Sequence, residues 1–258
     1  MELGIVGLPN VGKTTLFNAL TAAGAEVANY PFCTIDRNVG MVEVPDIRLE
    51  KLAEILTPPK VTPTVIEFVD IAGLVKGASQ GEGLGNEFLG HVRNVDAIIH
   101  VVRCFEDENV SHVSARVDPV VDIDVINSEL VAADLKSVEK RLEKCSRGLK
   151  SGDKEIKEEF AFLNKLSEVL NSGKPVRDMD ISESEEKLMR EYQLLTSKKM
   201  LYAANVDEES LIAGENKLVS EIEDFIKDQK SELITICAKI EAELVELAPD
   251  ERLSFLEE

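Results

Sequence analysis

The chain is short of positive charge. Its 29 lysines and arginines face 49 aspartates and glutamates, a formal net charge of -20 over 258 residues. Long-range repulsion on that scale excludes a general binder of the phosphate backbone. Contact with nucleic acid would need a local basic patch, or a partner that supplies one, and no sequence-specific reader of nucleic acid is expected. Cysteine is scarce too. Cys33, Cys104, Cys145 and Cys237 are scattered, with no CxxC pair and no histidine cluster beside them. That excludes a disulfide framework or a zinc site and points to free thiols in a reducing compartment. No apolar run approaches the roughly 18 residues that a membrane span needs. The N-terminus carries no targeting segment, because Gly4-Ile5-Val6-Gly7 runs straight into a glycine-rich turn. Repeats and low-complexity tracts are lacking as well. The expectation is a cytoplasmic protein with one large domain, or a domain plus a smaller module.

What is present is an alternation of short apolar runs and helical patterns, as in a mostly parallel α/β sheet. Residues 3–6, 40–44, 64–69 and 97–102 read as strands. Residues 13–22 and 46–56 read as helices, the second N-capped by Asp46. From about Val125 to Leu149 the pattern changes. Val131, Leu135, Val138, Leu142, Cys145 and Leu149 follow one another at alternating spacings of four and three, a heptad seam. Gly152 and Asp153 break it. A second helix carries Ile156, Phe160, Leu163, Leu166 and Leu170 on one face and ends near Gly173-Lys174-Pro175. Two amphipathic helices with densely charged outer faces predict a projecting antiparallel hairpin; the alternative is a pair of core helices in the main domain. The α/β pattern resumes with strands at 199–204 and 233–237. The hairpin, 125–196, therefore reads as an insertion between two parts of one sheet domain, 1–124 and 197–258.

The turn after the first strand matches GxxxxGK[ST] at Gly7, Gly12, Lys13 and Thr14, between a strand and a helix as the motif requires. Its glycines let the backbone wrap closely, so that amides along Asn10, Val11, Gly12, Lys13, Thr14 and Thr15 can point at phosphate oxygens. Lys13 can neutralise the β- and γ-oxygens, and Thr14 offers a hydroxyl to Mg2+. Asp70-Ile71-Ala72-Gly73 ends a strand and matches DxxG. Asp70 would hold the magnesium, usually through a water, and the Gly73 amide would bind the γ-phosphate. Loss of that phosphate would then relax the following segment. Thr34, in the loop after the first helix, is the natural second hydroxyl ligand. Two loops stand where a GTPase-type fold reads its base: Asn205-Val206-Asp207-Glu208 after the fifth strand and Cys237-Ala238-Lys239 after the sixth. A small-molecule kinase built on the same P-loop would leave the base-reading loop and the glycine-rich switch segment after Asp70 unexplained.

On these residues the chain resembles the YchF or Obg-like ATPase group of the Obg family of P-loop, TRAFAC-class GTPases. The resemblance rests on Gly7 to Thr14, on Tyr30-Pro31-Phe32-Cys33-Thr34-Ile35 as a first switch, on Asp70 through Leu89 as a glycine-rich second switch, and on His100 to Phe105. It covers essentially the whole chain. It implies a Ras-like six-stranded, mostly parallel sheet with helices on both faces and an inserted helical hairpin. It also implies association with the ribosome and a C-terminal TGS domain, which this sequence does not include.

Two positions depart from the usual GTPase pattern. Guanine readers carry NKxD, whose aspartate accepts from guanine N1–H and the 2-amino group. Here Val206 replaces the lysine and Glu208 the aspartate. Displacing that carboxylate costs on the order of 1–3 kcal/mol of paired contact, which weakens guanine preference. The resemblance implies that ATP is bound at least as well as GTP, with Asn205 and Val206 at the base. The other departure is Leu74, directly after DxxG, where many GTPases place a water-orienting glutamine. The resemblance points to His112 instead, since imidazole can donate and accept; a surface or structural histidine is the alternative. His91 and His100 are weaker candidates. The expectation is a nucleotide-hydrolysing switch, with a nucleotide-regulated binding module as its rival.

Overall fold

The computed structural model describes residues 1–23, 38–71, 84–107, 116–149, 153–248, 251–252 and 255. Six strands form one sheet: β1 (Glu2–Val6), β2 (Val39–Glu43), β3 (Val65–Asp70), β4 (Ala97–Arg103), β5 (Lys199–Asn205) and β6 (Glu232–Ile236). Their order is β2-β3-β1-β4-β5-β6. Every pair is parallel except β2 with β3. All seven residues of β4 are buried, because helices cover both faces of a parallel sheet. That is why its apolar residues do not alternate with exposed polar ones, and why His100 and Arg103 are themselves buried.

The helices are α1 (Lys13–Ala23), α2 (Ile47–Leu56), α3 (Leu84–Asn94), α4 (Pro119–Gly148), α5 (Lys154–Asn171), α6 (Glu183–Tyr192), α7 (Glu208–Ala213), α8 (Lys217–Ile226) and α9 (Ala238–Glu246). Asp46 caps α2 as expected, accepting from the Arg48 amide. The long helix α4 starts six residues before Val125. Asp118 is its N-cap, accepting from the Val121 amide, and Pro119 follows at the first position. That pair is a helix start in its own right, upstream of where the heptads begin. The helix α6 has no counterpart in the sequence reading. It is started by a capping box, in which the Ser182 side chain accepts from the Glu185 amide while the Glu185 carboxylate accepts from the Ser182 amide.

Two apolar cores result. The first lies on the sheet and includes Ile5, Ile98, Val101 and Tyr202 together with Ile123, Ile126 and Leu130 from the start of α4. The second belongs to the hairpin. There Val131, Val138 and Cys145 of α4 pack with Phe162, Leu163, Leu166 and Leu170 of α5, closed by Met189, Tyr192 and Leu194. The heptad seam is therefore the inner face of an antiparallel helix pair, and α4 runs unbroken from one core into the other.

Candidate nucleotide site

Strands β1, β3, β4, β5 and β6 point their C-terminal ends the same way, and the loops after β1, β5 and β6 converge there, where open α/β sheets bind ligands. The P-loop leaves β1 and enters α1. Asn10 has a φ of 62° and Gly12 a φ of 97°. A side chain at Gly7 would come within 2.6 Å of the Val101 carbonyl oxygen, and one at Gly12 would collide with the Asn205 carboxamide. The turn thus packs directly on β4 and β5.

Lys13 is buried, and its Nζ donates to the Leu8 carbonyl at 2.9 Å. Burial pushes its pKa below the ordinary lysine value, and the nearby Asp70 carboxylate pulls the other way. An ammonium held in this way gains from a phosphate that takes over the role of counter-charge. The Thr14 hydroxyl donates to Asp70 Oδ2 at 3.1 Å. Asp70 Oδ1 is buried with no hydrogen-bond partner among the described residues. An orphaned carboxylate oxygen beside a hydroxyl is a hard-oxygen donor set that fits Mg2+, a cation that completes its shell with phosphates and water. No cluster of three or more His, Cys, Asp or Glu that could hold a metal by itself occurs among the described residues.

Asn205 is 5% exposed and uses both ends of its carboxamide inside the protein. Nδ2 donates to the Val11 carbonyl at 2.9 Å, and Oδ1 accepts from the Ala238 amide at 2.9 Å. One side chain therefore ties the P-loop to the loops after β5 and β6. Val206 is buried, and its amide donates to Ile236 O. Asp207 caps α7, accepting from the Ser210 amide at 2.8 Å. Glu208, the first residue of α7, is exposed. A cavity of ≈ 700 Å³ opens among these loops, with Asn10, Gly12, Thr15, Val206, Glu208 and Ala238 in its lining. Its size suits a nucleoside.

The cavity also holds residues that the sequence reading did not assign. Phe105 lines it, half-buried, with the Arg103 guanidinium 4.5 Å from its ring centroid. Arg103 Nε donates to the Phe105 carbonyl at 3.0 Å. Asn216 caps α8 and donates to the Cys104 carbonyl at 3.0 Å, which fixes the chain where it leaves β4. An Asn directly before an amphipathic run was the available signal for Asn216. Phe105 follows a buried strand and carries no spacing that marks it.

Of the three histidines, His112 lies outside the described residues, as do Thr34, Gly73 and Leu74. His91 sits on the surface of α3, its Nε2 3.8 Å from Glu87 Oε1. His100 is buried in β4 with its ring 5.6 Å from that of Tyr202. Burial, reinforced by Arg177 and Lys13, pushes its pKa down to about 3, so it is neutral. Neither lines the cavity. Cys104, Cys145 and Cys237 are free and buried, and burial pushes the Cys104 thiol up to about 12.

Residues 2–143 match the family model described as a 50S ribosome-binding GTPase. The ribosome-binding ATPase YchF of Bacillus subtilis is 56% identical over 259 residues, covering 100% of this chain and 71% of that protein. Its namesake in Escherichia coli O157:H7 is 49% identical over 257 residues, covering 100% and 70%. The solved structure of the Schizosaccharomyces pombe YchF GTPase superimposes with a TM-score of 0.87 at 38% identity, over 100% of this chain and 70% of that one.

Proposed function

The chain belongs to the YchF family of P-loop NTPases, and on that footing we propose that it is a nucleotide-dependent switch that binds and slowly hydrolyses ATP with Mg2+ and associates with the ribosome in the cytoplasm. The observation that carries the reading is the Asn205 clamp. It holds the phosphate loop and the base-side loops in one frame, so a triphosphate on the P-loop has its base delivered to the cavity.

Within that frame the P-loop amides and Lys13 bind the β- and γ-phosphates. Thr14 and Asp70, with Thr34, hold the metal. A bound Mg2+ supplies charge neutralisation at the phosphate oxygens. Gly73 reports the γ-phosphate to the second switch, and His112 positions the attacking water, since Leu74 offers no hydrogen bond. Val206, Glu208 and Ala238 border the base, with Asn205 as their brace. No helix among the described residues is long and apolar enough to cross a membrane.

Preference for ATP over GTP is supported by how the carboxylates are used. Asp207 is committed to capping α7, and Glu208 lies on the first turn of that helix, one methylene longer than the aspartate of a guanine reader. Neither reproduces the bidentate pair that guanine needs. Competition titration of both triphosphates against a fluorescent analogue tests this: ATP should displace the probe at lower concentration, and a strong GTP preference sinks the assignment. The rival reading, in which hydrolysis is incidental to binding, draws on Leu74. Single-turnover hydrolysis set beside the kinetics of ribosome release separates the two.

A further inference from the structure

Arg103 ends β4, a strand buried along its whole length, and is itself only 1% exposed. A guanidinium carries five N–H donors, which are costly to leave unpaired away from water. Two of its nitrogens turn back on the chain that follows. Nε donates to the Phe105 carbonyl at 3.0 Å and Nη2 to the Asp107 carbonyl at 3.3 Å. The guanidinium carbon lies over the Phe105 ring, 4.5 Å from its centroid. One side chain thus grips the segment 105–107 at three points.

That segment has no regular secondary structure, so its carbonyls depend on side chains for partners. Cys104 completes the frame. Its amide donates to Asn205 O at 2.8 Å, and its carbonyl accepts from Asn216 Nδ2 at 3.0 Å. Phe105, Glu106 and Asp107 line the nucleotide cavity together with Asn10, Gly12 and Val206, whereas Arg103 is not among the described residues of that lining. It reaches the site through the segment it grips. A lysine could not do the same, because an ammonium is a point charge without the planar fork that lies on a ring while spanning two carbonyls. A ring pinned in this way has little freedom to lose when a planar base settles against it.

We infer that Arg103 is a positioning residue for the base: it holds Phe105 and the turn after it as the wall against which the base is seated. The inference rests on the proposed seat of the base in this cavity. Its effect is selective by construction. The phosphates are bound from the turn between β1 and α1, so release of the grip is felt at the base end of the ligand. An arginine that served stability alone would leave another pattern. Its removal would loosen β4, on which the P-loop packs where Gly7 meets the Val101 carbonyl, and would weaken every ligand of the P-loop alike.

The test is titration calorimetry of the full chain, in Mg2+, with ATP and with ribose 5-triphosphate, which is ATP without its base. Arg103→Met should weaken ATP about tenfold and leave ribose 5-triphosphate within about twofold of the parent. Phe105→Ala should do the same. The double variant should bind ATP within about twofold of Phe105→Ala alone, since both changes remove one wall. Losses that multiply in the double variant overturn the inference, and so does equal weakening of the two ligands by Arg103→Met. If Arg103→Met shows no cooperative thermal transition, Arg103→Lys is read in its place. It keeps the charge without the fork, and its selective loss of ATP should be about threefold; a lysine variant that binds ATP as the parent does overturns the inference. A parent chain that binds ATP no tighter than ribose 5-triphosphate removes the base seat itself. A parent that needs the base, matched by Arg103→Met, removes only the part given to Arg103.

Discussion

His100 has the chemistry of a catalytic residue and the surroundings of a core residue. Its imidazole is held neutral by burial and by the positive charges of Arg177 and Lys13, so proton transfer near neutral pH is closed to it. The cost appears in stability. The folded pKa is about 3 against 6.5 unperturbed. Below pH 6.5 the unfolded chain takes up a proton that the folded chain refuses. This contribution is therefore fully present above pH 6.5 and is lost progressively toward pH 3, at about 1.4 kcal/mol per pH unit. Urea unfolding at pH 6.5 and 5 should show the parent chain losing about 2 kcal/mol more than His100→Phe, which keeps a ring against Tyr202 and removes the titration. Equal acid sensitivity in the two proteins would show that His100 is not shielded. At this scale the sequence was partly readable. The P-loop and Thr14 with Asp70 were expected from motif spacing, and Asn205 with Ala238 from the position of their loops; the structure brings Thr14 against Asp70 and Asn205 against Ala238. Phe105 was not found as a site residue, because an aromatic side chain after an apolar strand fits a core as well as a base pocket.

Elements were easier to read than their ends. The strands and the two hairpin helices follow from apolar periodicity, while α6 escaped because it buries only Met189 and Tyr192, too few positions to set a period. What fixes these elements relative to one another is a buried polar joint that no local pattern announces. Asp134 on α4 accepts from the amides of Leu195 and Thr196 and from the Thr196 hydroxyl, at 2.9, 2.7 and 2.7 Å. Arg177 donates to Asn127 Oδ1, and Asn127 in turn donates to the Tyr202 hydroxyl. Burial raises the Asp134 pKa, and the donors from Thr196 and Leu195 work against that rise. Three donors on one carboxylate anchor α4 to the turn that launches β5. Asp134→Ala should cost about 3 kcal/mol or more, because it strands two buried amides. Thermal unfolding measures it, and a shift below about 1 kcal/mol would mean that the joint is dispensable.

For the whole molecule, two cores joined by one helix imply two levels of local stability. Leu166 is fully buried in the hairpin core and far in sequence from any P-loop residue. Leu166→Ala should cost about 2–5 kcal/mol. Native-state hydrogen exchange should place the loss in α5 and the outer half of α4, with β1, β4 and β5 nearly as protected as before. Exchange that quickens equally throughout would show a single cooperative unit. The net charge of -20 says nothing of how charge is distributed, since only the folded path brings Arg93 beside Lys140 and Arg190.

The unbroken course of α4 has a mechanical consequence. Its first turns are packed against β4 and α8, and the stretch beyond Val131 extends about 26 Å to Gly148 at 1.5 Å per residue. Such a rod works as a pointer: a rotation of about 5° where it pivots on the sheet sweeps the far end through about 2 Å. A small tilt of α4 on the sheet would thereby appear, enlarged, at the far end of the helix.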